Sequence, residues 1–166
     1  NSFEKTKKTE SQHTTVIWKY FEDDNDQINA RAGEEEKEEL TGKVKWIAFK
    51  QHFFSTVLVA DESFERGGEV ISKPLSETDS SLKVFSAKLF LPKKDVNHLS
   101  FYIGPNHYPT LKAQGVELES LLDLGWFGFI TKFAIIPIFN WLSSFLSNYG
   151  LIILLLTIIL KMALFP

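Results

Sequence analysis

There is no cysteine in the 166 residues, which excludes disulfide staples and thiolate zinc sites but leaves the compartment undecided. A strong positive charge is also missing. Lys and Arg number 18 against 21 Asp and Glu, so the chain carries no electrostatic footprint for direct nucleic-acid binding. Glycine-rich phosphate loops and nucleophile-elbow serines are absent, and Gly67-Gly68 reads as a turn signal. The four histidines, His13, His52, His98 and His107, lack metal-ligand spacing. No cofactor, no metal site and no covalent chemistry are therefore expected. The chain opens at Asn1 without an initiator Met or a signal-like apolar run, and it closes in hydrophobic sequence at Pro166. A piece of a longer polypeptide is expected.

What is present is an uneven distribution of charge and apolar residues. From Leu121 onward the charged side chains are Asp123, Lys132 and Lys161, which sum to +1 and leave −4 of the net −3 on the preceding residues. A mildly acidic domain of residues 1–123, large enough for one core, thus precedes a membrane-like segment.

Residues 149–166 are apolar on every side except at Gly150, Thr157 and Lys161. At 1.5 Å per residue such a helix reaches about 27 Å, close to the thickness of a bilayer core, so it is read as a truncated transmembrane helix. Lys161 would lie roughly 18 Å in from Tyr149, where a charge costs about 2.5–3.5 kcal/mol on insertion scales. It either snorkels toward the far interface or faces water, a partner or a protein interior. Thr157, four residues back, shares its face.

Residues 124–148 differ. Lys132, Asn140, Ser143, Ser144 and Ser147 recur at helical steps opposite an aromatic-rich face that includes Trp126, Phe129, Phe133, Trp141 and Phe145. That pattern predicts an amphipathic helix lying in the membrane interface, with a second transmembrane helix as the alternative. Pro137 lacks an amide proton and predicts a break or kink near Ile136, while Ser147, Asn148 and Gly150 supply the corner.

The front part reads as mainly β. Residues 1–14 are expected as a loop or frayed edge, 15–21 as a strand, and 22–39 as an exposed, mobile acidic loop. Strands are predicted over 44–51, 52–60, 69–73, 82–91 and 99–103, with a turn at Arg66-Gly67-Gly68 and a polar connection over 74–80. A short helix over 109–114, stopped by Gly115, and a last strand over 116–122 complete an antiparallel β-sandwich.

Several stretches then fall into a familiar order. Gly125-Trp126, Asn148-Tyr149-Gly150, Thr157, Lys161 and Pro166 follow VKWIAFKQHFFSTVL at 44–58 and FYIGP at 101–105. In that order the chain resembles the YidC membrane insertases of Gram-negative bacteria, within the wider YidC/Oxa/Alb family. The resemblance implies part of a periplasmic β-supersandwich, then the interfacial helix, then a helix running from periplasm to cytoplasm in a multi-pass inner-membrane protein. It also implies an insertase and chaperone for nascent membrane proteins, partnered by the Sec translocon, the ribosome and the lipid bilayer. Lys161 stands where the family places a basic residue in a hydrophilic groove, usually arginine, and Thr157 lies beside it. The alternative is a membrane-anchored binding module for a sugar, a peptide or an envelope protein.

Overall fold

The computed structural model describes residues 7–29, 33–76, 79, 81–125 and 128–164. Contacts divide the chain into two compact units, Asn1–Leu122 and Asp123–Pro166.

In the first unit the described strands are β1 Thr15–Tyr20, β2 Asn25–Gln27, β3 Glu36–Leu40, β4 Val44–Lys50, β5 Phe54–Pro74, β6 Lys83–Phe90 and β7 Leu99–Pro105. All pairings are antiparallel. The first part of β5 joins β2, β1, β4 and β7, and its second part lies between β3 and β6. One strand therefore serves two sheets.

The turn and the separate strand expected at Arg66 to Lys73 are corrected by this arrangement. Gly67 does adopt positive φ, at 85°, but the chain bends instead of reversing. A Cβ on Gly68 would sit 2.6 Å from the Lys88 carbonyl oxygen and 3.0 Å from the Leu40 side chain. The glycine pair admits a bulge between Glu65 and Glu69 and lets neighbouring backbone pack against the bend.

Two further expectations are corrected. The supposed loop over 22–39 contains β2 and β3, and Ile28 between them is buried at 1% exposure. Its charges belong to an edge strand: Lys37 pairs with Glu69 at 2.6 Å across β3 and β5, and Lys73 with Glu35 at 3.7 Å. The hydrogen bond and charge of Glu69 raise the Lys37 pKa, and Lys37 in the same way lowers that of Glu69. Charge on an edge strand is compatible with pairing on its other side. The segment expected as a loop before residue 14 contains helix α1, Lys7–His13. Its C-terminal carbonyls have a distant partner, since Lys83 Nζ donates to Ser11 O at 2.9 Å and to Thr14 O at 3.1 Å.

Side chains from both sheets form one core, with Val16, Trp18, Ile28, Leu40, Val44, Ile47, Phe64 and Val70 buried and Phe85, Ala87 and Leu89 of β6 packed against them. The opposite face of the β1–β4–β5 sheet is covered by helical segments. There Ile17, Trp46, Ala48, Val57 and Val59 meet Leu111, Leu118 and Leu121.

Leu111 belongs to α2, Tyr108–Lys112, which gives way to Gly115 at φ 72° as the sequence predicts. The last strand predicted over 116–122 is instead a 3₁₀ turn, Leu118–Leu121. Three residues per turn place Leu118 and Leu121 on one face, and both are fully buried. Such burial contributes about 1.5–3 kcal/mol per leucine. Trp46 Nε1 donates to Val116 O at 2.9 Å and Lys50 Nζ to Leu121 O at 2.7 Å, fixing the turn at both ends.

In the second unit, α3 covers Gly128–Phe145 and α4 covers Tyr149–Leu164. Pro137 does not interrupt α3. The helix widens into a π turn over Thr131–Ile135, where Ile136 donates to Thr131 O, five residues back. That geometry accommodates a proline ring that would crowd the carbonyl four residues before it. Among the described residues, α3 is the one helix of at least 18 residues apolar enough to cross a membrane. α4 is more uniformly apolar but has 16 described residues.

Candidate functional site

The corner before α4 is built by Asn148. Its Oδ1 accepts hydrogen bonds from the amides of Gly150 at 3.0 Å and Leu151 at 3.3 Å, and its carbonyl accepts from Ile152 at 3.1 Å. This caps amides that the first helical turn cannot satisfy internally. Phe139 of α3 stacks on Tyr149 with ring centroids 6.2 Å apart. Gly150 therefore sits inside the capped turn.

Along α4, Ile152 is buried and Leu155, Leu156, Ile159 and Leu160 are half-buried. These five recur at three- and four-residue steps and form a single protected stripe. At about 100° per residue, Gly150, Thr157 and Lys161 fall on the opposite face. Thr157 and Lys161 are exposed. Thr157 Oγ1 donates to Ile153 O at 2.8 Å, which leaves its lone pairs available as acceptors. Lys161 makes no ion pair among the described residues. An unpaired ammonium next to a hydroxyl, on an apolar helix, can attract a carboxylate wherever hydrocarbon weakens competition from water.

Apart from Phe139, the described aromatic residues of α3 are outward. Phe129 is 63% exposed, Phe133 82%, Trp141 60% and Phe145 73%. Trp141 and Phe145 meet edge to face at 5.6 Å. Pro137 is exposed just beyond the π turn. Gly125 has φ 66° and its amide donates to Asp123 Oδ1 at 2.9 Å. Trp126 and Pro166 lie outside the described residues.

Elsewhere two of the four histidines come together. His13 and His52 stack at 4.3 Å, and His52 stacks on Phe53 at 4.2 Å. Among the described residues no three His, Asp or Glu side chains are grouped to hold a metal. The sequence reading missed the Asn148 cap and the π turn. The asparagine two residues before Gly150 was a usable signal for the first. A proline inside an amphipathic pattern does not by itself distinguish a π turn from a break.

Comparison with known proteins adds an independent line. A family model described as the YidC periplasmic domain matches residues 2–137. The chain is 37% identical to the membrane protein insertase YidC of Parabacteroides distasonis, over 98% of this chain and 27% of that protein. It is 38% identical to the protein of the same name from Azobacteroides pseudotrichonymphae, over 98% of the chain and 28% of the relative. With the one from Chlorobium limicola the identity is 32%, over 78% and 23%. The chain thus spans about a quarter of the length of the first two relatives.

Proposed function

The chain belongs to the YidC family, and on that premise we propose that it is part of an insertase that places nascent membrane proteins in the bacterial inner membrane and helps them fold. In this reading residues 1–148 lie on the periplasmic side. Helix α4 runs toward the cytoplasm, and the remainder of the protein supplies further spans. Lys161 and Thr157 line a hydrophilic groove, where the ammonium attracts acidic residues of an incoming segment. Trp126, Phe129, Phe133, Trp141 and Phe145 anchor α3 at the membrane interface. The Sec translocon and the ribosome are partners by family inference, and no covalent step is required.

The observation that carries this reading is the placement of Thr157 and Lys161 opposite the protected stripe of α4. Moving a polar tail through hydrocarbon is costly, and a cation held along the path offsets part of the cost for an acidic tail. Replacing Lys161 by Leu should lower insertion of acidic-tailed substrates by about tenfold or more, equivalent to ~1.4 kcal/mol of lost attraction. Neutral-tailed substrates should be affected less. Lys161→Arg should retain activity, because the charge persists with a fork suited to carboxylates. Normal insertion of acidic-tailed substrates by the Leu variant would overturn the role of Lys161.

A second reading, a ligand-binding module on a passive anchor, draws on a cavity of about 770 Å³ beside Tyr20, Phe21, Asp61 and Arg66. Its volume is in the range of small-molecule sites. The same substitution separates the two readings, since a passive anchor tolerates leucine.

A further inference from the structure

The π turn in α3 has a consequence for which side chains share a face. Measured from Phe129 at about 100° per residue, an uninterrupted α-helix would put Phe133 near 40°, Trp141 near 120° and Phe145 near 160°. Asn140 and Ser144 would then fall near 20° and 60°, among the aromatics. A π turn accommodates one extra residue, so everything after Ile135 lags by about 100°. Trp141 and Phe145 move to about 20° and 60°, beside Phe129 and Phe133. Asn140, Ser143 and Ser144 move to between about −140° and −40°, the side on which Lys132 lies.

Burial agrees with this sorting. In the second half of α3, Ile138, Phe139 and Leu142 are the protected residues opposite the polar set, at about 80–180°. The four aromatics are all exposed. Ile135 and Ile136, both near −120°, are the apolar residues that sit among the polar ones.

We propose that the π turn at Thr131–Ile135 is a register device that gathers Phe129, Phe133, Trp141 and Phe145 into one face, and that this face docks at the headgroup–acyl boundary of a lipid bilayer. The inference rests on the interfacial placement of α3 given above and adds the feature that makes its aromatic face continuous. Lipid is the occupant that fits the chemistry. Trp and Phe favour the boundary, Lys132 flanks them on the side where headgroup phosphates lie, and the capped corner at Asn148 leads directly into the apolar α4. Pro137 sustains the turn because it has no amide to offer the Phe133 carbonyl.

The test uses the full-length protein in vesicles of phosphatidylethanolamine and phosphatidylglycerol, with a spin label on Phe145→Cys as its only cysteine. Two variants, both with Pro137→Ala, are compared with the parent: one lacks Ala134, and the other has an additional alanine after it. Deletion removes the residue that the π turn accommodates, so an ordinary α-helix keeps the four aromatics together. Insertion rotates the second half by at least about 100° whether or not a π turn survives.

In the parent and the deletion variant the label should collide mainly with oxygen in the lipid. In the insertion variant, collisions with a water-soluble nickel chelate should rise several-fold. The proposal is overturned if insertion leaves the label in lipid, or if deletion exposes it as much as insertion does. It is equally overturned if the parental label lies at the bilayer midplane or is shielded from both reagents, as for a spanning or protein-covered helix. None of these outcomes depends on Lys161, whose role is read separately from the Leu variant.

Discussion

Lys83 shows how much one side chain can decide at a distance. Its ammonium reaches two carbonyls at the C-terminal end of α1, the end that attracts positive charge. Burial lowers its pKa, with the charge of Glu36 acting in the opposite direction. Lys83→Ala should cost about 1.5–3 kcal/mol, the range for hydrogen bonds from a charged donor, and should raise amide exchange across Lys7–His13 more than elsewhere. Exchange that rises equally in β4 would show that the contact is not local. The sequence gives no notice of α1 because its partner lies about seventy positions away. Lys161 was legible for the opposite reason: a lone cation in an apolar run identifies itself without any partner.

At the scale of elements, β-branched and aromatic composition revealed β1, which is buried on both faces, and alternation of apolar residues revealed β4 and β6. β3 stayed hidden because Glu36, Lys37, Glu38 and Glu39 have no such alternation, and its pairing with β5 is bridged by charge. Ile28 is the measure of that misreading. It sits in the main core inside a stretch that composition alone marks as solvent-exposed. Ile28→Ala should destabilise the first unit by about 2–5 kcal/mol in denaturant unfolding, with little change in the slope. A loss below about 0.5 kcal/mol, the level of an exposed position, would restore the loop reading. The 3₁₀ turn after α2 was misread because Val116, Leu118 and Leu122 fit the alternation of a short strand, and the tryptophan that selects the turn is in β4.

For the molecule as a whole, the sheet that begins with β2 ends on β7, which pairs only with β5 among the described residues. Leu99, Phe101 and Ile103 alternate along it, exposed by 39%, 69% and 77%. An apolar edge of this kind invites pairing with another strand. Residues 1–122 produced alone should therefore self-associate as concentration rises, and Phe101→Lys should hold them monomeric in light scattering. Association that is indifferent to this substitution would remove β7 as its cause.

The double membership of β5 bears on how the first unit comes apart. Neither sheet possesses all of its own strands, so opening one of them pulls at the other through the bend at Gly67 and Gly68. Thermal melting followed at probes on β1 and on β6 should trace the same curve, without a half-molten species between. A protein of this design trades the safety of independent modules for a scaffold that transmits any loosening throughout.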